Sequence, residues 1–252
     1  MTSIAAGAVG APQPASADLP PLVELVDVRA GYGNIEVLHG IDLRVEAGSV
    51  TTLLGPNGAG KTTTLRTLAG LHQATSGDIL LAGRRVNGAR ADALSRAGLC
   101  LVPEGRGIFP NLSVTENLRV ATHTGRSLAE IEEEAYSRFP RLGERRGQLA
   151  GTMSGGEQQM LSLARAVVSR PGVLLLDELS MGLAPLVVAS LYEEVARIAA
   201  EGVAILVVEQ FARVVLEVAD HAVVLAAGRV VATGTPADLE GSLAELYLGS
   251  GR

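Results

Sequence analysis

The sequence has no tryptophan, a single cysteine and an aromatic content of only 3%. It also lacks any run of about 18 apolar residues, the length that a membrane-spanning helix needs. The most suggestive stretch, 179–192, is shorter and is broken by Gly182 and Pro185. Cys100 has no second cysteine to pair with, so the chain forms no internal disulfide and a reduced, cytoplasmic setting is favoured.

Acidic residues outnumber basic residues by 27 to 21, and the resulting net charge of −6 argues against nucleic acid as the main partner. A protein that binds a phosphate backbone usually presents an excess of Lys and Arg. What the chain has in quantity is Val, Leu, Ile and Ala, within a hydrophobic content of 47%. A core of these residues is typical of a layered α/β fold.

The pattern of apolar residues predicts the order of the elements. Residues 22–50 roughly alternate between apolar and polar, which predicts a small antiparallel sheet. Residues 113–169 show mostly helical spacing. Continuous apolar runs at 173–176, 203–208 and 222–225 predict interior strands of a mainly parallel sheet. Residues 1–21 are rich in Ala, Gly, Pro and Ser and lack the features of a secretion signal, so they predict a disordered tail before a domain spanning 22–252.

A glycine-rich stretch at 55–63 matches the pattern G-x-x-x-x-G-K-[ST]. A run of β-forming residues precedes it and a helix-compatible run follows, as this phosphate-binding loop requires. Its backbone N–H groups and the following helix N-terminus would hold a phosphate chain. The predicted nucleotide-binding residues are Gly55, Pro56, Asn57, Gly58, Ala59, Gly60, Lys61, Thr62 and Thr63. Among them Lys61 would reach the terminal phosphates, and Thr62 would place its hydroxyl on Mg²⁺.

Two further segments carry chemistry. Asp177 and Glu178 follow an apolar strand, where a carboxylate can hold Mg²⁺ and a second can act on an attacking water; the alternative is an ordinary acidic surface turn. Ser154 begins the sequence Ser-Gly-Gly-Glu-Gln before a predicted helix. Taken alone, that segment is either a second anion-binding helix N-terminus or simply a capped helix.

Together these segments resemble the ATP-binding subunits of ABC transporters, and the resemblance covers nearly the whole chain from Leu22. It implies a P-loop NTPase with a mainly parallel core sheet, an antiparallel β subdomain and a helical subdomain inserted at about 106–157. It also implies that Tyr32 stacks on adenine, that Asp177 binds Mg²⁺ and that Glu178 is the catalytic base. The segment that would contact ATP on the opposite subunit of a head-to-tail dimer comprises Ser154, Gly155, Gly156, Glu157 and Gln158.

Finer motifs resemble the LivF-type ATPases of branched-chain amino acid importers, among them Phe-Pro-Arg-Leu at 139–142 and Gly-Leu-Ala-Pro at 182–185. Such subunits work with a LivG-like second ATPase, two transmembrane permease subunits and an external substrate-binding protein. Three positions depart from the wider ABC family but are common in this branch. Gln210 stands at the catalytic switch position that is usually His, Glu104 stands where a metal-contacting Gln is usual, and Ala184 replaces an Asp.

The sequence therefore predicts an ATPase that lies on the inner face of the cell membrane and powers import of branched-chain or related amino acids, with ATP and Mg²⁺ as cofactors. Three alternatives stay open: a urea or amide importer ATPase, a mainly structural ATP-binding subunit beside an active partner, and a soluble regulatory ATPase. Phe109 and Pro110 are either exposed contacts for the membrane partner or core residues of the helical subdomain.

Overall fold

A computed structural model describes residues 20–105, 107–210 and 212–239. Most of the predicted tail 1–21, residue 106 at the predicted start of the helical subdomain, and the last residues of the predicted domain 22–252 lie outside these ranges. Strands in the described part are β1 (Val23–Tyr32), β2 (Ile35–Val45), β3 (Val50–Leu54), β4 (Ser76–Leu81), β5 (Arg84–Arg85), β6 (Leu99–Val102), β7 (Val173–Asp177), β8 (Ala204–Glu209), β9 (His221–Ala226) and β10 (Arg229–Gly234).

The helices of the described part are α1 (Lys61–Leu68), α2 (Ala91–Arg96), α3 (Val114–Arg119), α4 (Leu128–Arg138), α5 (Pro140–Glu144), α6 (Gly155–Val167), α7 (Pro185–Ala200) and α8 (Ala212–Leu216). In the second half of the chain they alternate with strands, as predicted from the sequence. Short 3-10 turns follow α3 and precede α6. Serine N-caps with a capping box begin α3, α4 and α6, because in each case Ser is followed three residues later by Glu.

Two sheets form the framework of the described residues. The larger has the strand order β10-β9-β3-β8-β7-β6, parallel throughout except for β10. The smaller is antiparallel, in the order β2-β1-β4-β5. The prediction of a mainly parallel core sheet with an antiparallel sheet before the phosphate loop is confirmed.

Both faces of the larger sheet are buried, which explains its uninterrupted apolar runs. Along β7, Leu174 and Leu176 enter one hydrophobic cluster, with residues of α6 and α7. Val173 and Leu175 enter the other, with residues of α1 and the antiparallel sheet. Successive side chains of a strand point to opposite faces, so a strand covered on both sides is apolar at most positions, although β3 also buries Thr51 and Thr52.

The strand β10 and the helix α2 were not predicted from the sequence. β10 is an antiparallel edge strand whose alternate residues stay exposed, and it pairs with β9 through a tight hairpin. α2 has only six residues, of which Leu94 alone is buried. The helices α3, α4 and α5 do lie between β6 and β7, but the boundaries 106 and 157 of a helical subdomain stay a prediction, since α6 continues to Val167.

Candidate functional site

The phosphate loop joins β3 to α1 and has the backbone that its glycines allow. Gly58 and Gly60 have φ of +79° and +109°. The φ of Gly60 favours glycine, and a Cβ atom there would also lie 2.7 Å from Leu38 Cδ2, so the Leu38 side chain would have to move. The Ala59 N–H donates to the Pro56 carbonyl at 3.1 Å, and Thr64 N–H donates to Gly60 O at 2.9 Å as α1 begins.

Lys61 lies inside this loop and is only 5% exposed. Its Nζ donates to the carbonyl oxygens of Gly55 at 2.8 Å and Pro56 at 3.3 Å. Burial lowers the pKa of the ammonium group, while the nearby carboxylates of Glu178, Asp177 and Glu209 oppose that shift. The structure therefore concentrates one cation and several acidic groups at the mouth of the loop.

Three strand ends meet at this place. Leu54 pairs with Glu209 and Asp177 pairs with Val208 in parallel register. Ligands of open α/β sheets bind at the carboxyl ends of the strands, and the residues that follow β3, β7 and β8 are here the phosphate loop, Glu178 and Gln210. Residues more than a hundred positions apart in the sequence thus come together at one edge of the sheet.

Asp177 has the properties of a cation ligand. Its side chain is 6% exposed, and its Oδ1 atom is buried without a hydrogen-bond partner. Burial, then the neighbouring Glu178 and Glu104, raise its pKa to about 6 against the opposing effect of Arg66 and Lys61. A buried, unpaired carboxylate oxygen is costly, and a bound cation would satisfy it.

The other predicted metal ligands are less enclosed. Thr62 is half-buried in the first turn of α1, and Glu104 is exposed in the turn after β6, close enough for its charge to act on Asp177. No cluster of three or more His, Cys, Asp or Glu side chains suited to a metal occurs in the described ranges. This donor set fits Mg²⁺, which commonly takes one or two protein oxygens and completes its shell with phosphate oxygens and water.

Glu178 has an unusual backbone. Its φ of +50° lies in the left-handed region, which costs a non-glycine residue about 1–3 kcal/mol. Its N–H donates to the carbonyl of Val208 at 2.9 Å, and the next side chain, Leu179, is 1% exposed. The neighbouring strand and the core therefore hold Glu178 at the end of β7.

The segment 154–158 forms the start of α6 at a separate place. Ser154 Oγ donates to Glu157 Oε2 at 2.9 Å, and Arg145 binds the other oxygen of that carboxylate at 2.6 Å. A Cβ atom at Gly156 would lie 2.7 Å from Val187 Cγ1 at the start of α7. Ser154 and Glu157 bond to each other, Glu157 also pairs with Arg145, and the Ser154 carbonyl accepts the Gln158 N–H at 3.0 Å.

Tyr32 lies at the tip of the β1–β2 hairpin and is 46% exposed. Its ring stacks on His72, with centroids 4.4 Å apart and planes inclined by 28°. A ring nitrogen of His72, Nε2, lies 2.9 Å from the Gly31 carbonyl. No site role was predicted for His72, because the contact joins residues that are distant along the chain.

Sequence reasoning also gave no role to Glu209, which is 1% exposed at the end of β8. It contacts Ser180, two residues after Glu178, and Tyr192 of α7. Burial raises the pKa of Glu209, against hydrogen bonds from Tyr192 and Ser180 that lower it. The signal in the sequence was the same one that marked Asp177, an acidic residue directly after a buried parallel strand.

We expect Asp177→Asn to stabilise the protein free of nucleotide and metal. A folded-state pKa of about 6, above the ordinary value of 3.8, means that ionising Asp177 opposes folding. That penalty is absent below about pH 4, grows as the pH rises through about 6, and reaches roughly 3 kcal/mol above it. Urea unfolding in EDTA between pH 4 and 8 should show the variant gaining stability over the wild type as the pH rises.

The matched control for that experiment is Asp92→Asn. Asp92 is exposed on α2 and pairs with Arg96 at 2.9 Å, and this contact lowers its pKa. Its replacement should give no gain in stability at high pH. Equal unfolding curves for Asp177→Asn and wild type at pH 8 would contradict the expected burial cost.

Comparison with known proteins agrees with this geometry. The family model described as ABC transporter matches residues 38–180. The high-affinity branched-chain amino acid transport ATP-binding protein BraG of Pseudomonas aeruginosa is 43% identical over 222 residues, which are 86% of this chain and 95% of that protein. The probable branched-chain amino acid transport ATP-binding protein LivF of Archaeoglobus fulgidus is 33% identical over 221 residues, covering 86% of this chain and 94% of that one.

A solved structure of an ATP binding subunit of an ABC transporter has a TM-score of 0.79 and 31% identity, covering 90% of this chain and 98% of that chain. This structural match covers more of the chain than the family region 38–180 does. Sequence and structure thus agree: the chain belongs to the ABC transporter family and is one of its ATP-binding ATPase subunits.

Proposed function

We propose that this chain hydrolyses ATP with Mg²⁺ between two head-to-tail ATPase subunits and thereby powers import of branched-chain or related amino acids. The proposal rests on the position of four residues at one edge of the sheet. At the carboxyl ends of β3, β7 and β8 lie Lys61, Asp177, Glu178 and Gln210. A cation and two carboxylates beside a phosphate loop are the parts that phosphoryl transfer to water requires.

Binding would use the phosphate loop and the hairpin tip. The N–H groups of 55–63 and the N-terminus of α1 surround the phosphates. Lys61 exchanges its bonds to the Gly55 and Pro56 carbonyls for bonds to phosphate oxygens. Tyr32, with one ring face backed by His72, offers its exposed area to adenine.

Catalysis would fall to the residues after β7 and β8. Mg²⁺, held by Thr62 and Asp177 with Glu104 nearby, supplies positive charge that stabilises the phosphates. Glu178 accepts a proton from the water that attacks the γ-phosphorus, while the bond from that phosphorus to the β–γ bridging oxygen breaks and ADP and phosphate are released. Gln210 donates a hydrogen bond from its side-chain amide to a γ-phosphate oxygen, and unlike His it cannot add a positive charge.

The segment 154–158 would complete the site of a second subunit. Its side chains bond to Arg145 and to the backbone of 150–153 in the same subunit, while the N-terminus of α6 carries positive dipole charge suited to a γ-phosphate. ATP bound between two such surfaces favours the closed dimer, and hydrolysis releases it. The partner is either a LivG-like subunit or a second copy of this chain.

Turnover by the purified chain tests this proposal. If two copies form the site, the Mg²⁺-dependent rate per subunit should rise with protein concentration. ATP binding without turnover at any concentration would assign the second surface to a different ATPase, which is then added to the assay. A rate per subunit that is high and independent of concentration would contradict a shared site.

The substrate class is proposed from the two relatives, BraG and LivF, whose names state branched-chain amino acid transport. Deleting the gene for this chain should lower uptake of labelled leucine, isoleucine and valine by cells. Loss of urea uptake with unchanged leucine uptake would support the amide importer alternative. The substrate-binding protein and permease subunits would determine which amino acid is selected.

Docking to the permease would place the chain on the inner face of the membrane. In the described residues no helix has the length and apolar character to span a bilayer. The structure favours the surface alternative for Phe109, which is 44% exposed and stacks on the Arg165 guanidinium at 4.6 Å. Beside it, Arg165 and Cys100 line a cavity of about 200 Å³ at the open edge of β6.

We expect Phe109→Glu to reduce transport at least 10-fold while ATP binding by the isolated chain stays unchanged, because a charge in a desolvated contact is penalised by several kcal/mol. Val231→Glu is the control, since Val231 is 52% exposed on the edge strand β10. Uptake and nucleotide affinity are measured for both variants. Normal transport by Phe109→Glu would contradict a contact between the surface at Phe109 and the permease.

A further inference from the structure

Glu209 is a buried carboxylate whose direct partners are hydrogen-bond donors. Its Oε1 accepts from the Ser180 N–H at 2.9 Å and from the Tyr192 hydroxyl at 2.5 Å, and its Oε2 accepts from the Ser180 hydroxyl at 2.9 Å. Tyr192 is itself 1% exposed. Burying an anion is costly, so three converging donors indicate a group that serves a purpose beyond filling the core.

The network connects three elements that surround the nucleotide site. Glu209 ends β8, Ser180 belongs to the loop after β7, and Tyr192 lies on α7. The catalytic base proposed above, Glu178, precedes Ser180 by two residues. One residue before Glu209, the carbonyl of Val208 accepts the Glu178 N–H at 2.9 Å.

Two consecutive residues at the end of β8, Val208 and Glu209, therefore hold the backbone at and after Glu178. Its own N–H is bound to Val208, and two residues later the chain is bound twice to the Glu209 carboxylate. Such support is needed because Glu178 has a φ of +50°, a conformation that persists only where its surroundings enforce it. On the other side, Glu209 is bonded directly to Gln210 along the chain.

We propose that Glu209 is a positioning residue that fixes Glu178 and Gln210 relative to each other, with Ser180 and Tyr192 as the links. The inference rests on the function proposed above. It states that one buried carboxylate aligns the catalytic base Glu178 with Gln210, whose amide donates a hydrogen bond to the γ-phosphate. A carboxylate suits this role because both of its oxygens accept, whereas an amide has one acceptor oxygen, so a hydroxyl partner would have to turn round and accept from the amide N–H.

The test compares Glu209→Gln with wild type in the complex that shows turnover. We expect kcat to fall about 10- to 100-fold, the effect of misplacing a catalytic group by about 1 Å, with ATP affinity within about 2-fold of wild type. Tyr192→Phe keeps the ring packing and removes one donor, so it should show a smaller fall in kcat. That variant keeps the proposal testable if Glu209→Gln fails to fold.

The matched control is Glu194→Gln. Glu194 is also buried, at 3% exposure, but pairs with Arg138 at 2.8 Å and Arg197 at 3.1 Å on the side of α7 that faces α4. This variant should lose stability without a specific loss of kcat. A fall in kcat as large as that of Glu209→Gln would mean that any buried charge defect slows turnover, which overturns a positioning role.

Combining variants separates positioning from a structural role. Adding Glu209→Gln to Glu178→Gln should lower the residual rate by clearly less than Glu209→Gln lowers the wild-type rate, because one of the two groups that Glu209 positions is already disabled. An undiminished loss in the double variant, or wild-type kcat in Glu209→Gln alone, overturns the inference. Wild-type turnover in Glu178→Gln alone would instead refute the proposed base, so the two failures are distinguishable.

Discussion

Replacing Glu178 with glutamine is expected to lower ATP turnover by about 10²- to 10⁴-fold, the range that a general base contributes. The amide keeps the size of the side chain but cannot accept the proton of the attacking water. ATP binding should survive, because the contacts of Lys61 and the loop backbone do not involve the lost group. Removing a charge beside Asp177 should also weaken repulsion, so ATP affinity should stay equal or rise.

The measurement is Mg²⁺-dependent phosphate release by the assembled complex, together with ATP affinity from equilibrium binding. Glu193→Gln is the control, since its side chain is 68% exposed on α7 and pairs only weakly with Arg197, at 3.8 Å. A small loss of turnover in Glu178→Gln would favour the alternative in which this chain binds ATP structurally and its partner performs most of the hydrolysis. Gln210 gives that alternative a chemical basis, because it lacks the charge of His.

The parts that the sequence predicted are those encoded locally. The phosphate loop is a contiguous pattern between a strand and a helix, and the helix starts at Ser113 and Ser154 follow from Ser and Glu three residues apart. Buried parallel strands were visible because burial on both faces removes polar residues. The parallel pairing of these strands followed from the alternation of helix and strand, whereas their order in the sheet was not predicted.

The parts that were missed depend on contacts between distant residues. Tyr32 meets His72 across 40 positions, and Glu209 meets Tyr192 and Ser180 from different elements. No periodicity marks such pairs, since each residue alone suits a turn, a helix or a strand end. The strain at Glu178 was equally hidden, because a φ of +50° arises from the surroundings rather than from the residue type.

A second large effect is expected at Lys61, the only lysine in the sequence. Lys61→Ala removes a charged donor from a nearly buried position, where such a hydrogen bond contributes about 1.5–3 kcal/mol. We expect ATP to bind about 10- to 150-fold more weakly, with turnover falling further because the transition state carries more charge on the γ-phosphoryl oxygens. Lys61→Arg should be intermediate, since a planar guanidinium cannot replace the compact ammonium group inside the loop.

Because Lys61 is unique, its environment can also be followed in the unaltered protein. An amine-reactive reagent has only Lys61 and the chain's α-amine to modify, and the burial that lowers the Lys61 pKa increases its neutral, nucleophilic fraction. Bound ATP should protect Lys61 while leaving the α-amine reactive, as peptide mass spectrometry would show. Equal labelling of Lys61 with and without ATP would mean that the phosphates bind elsewhere. Wild-type ATP affinity in Lys61→Ala would mean the same. Arg96→Ala is the control for the affinity measurement, because it removes an exposed cation. Protection by ATP combined with weak binding in Lys61→Ala would tie the nucleotide to the one cation that the loop encloses.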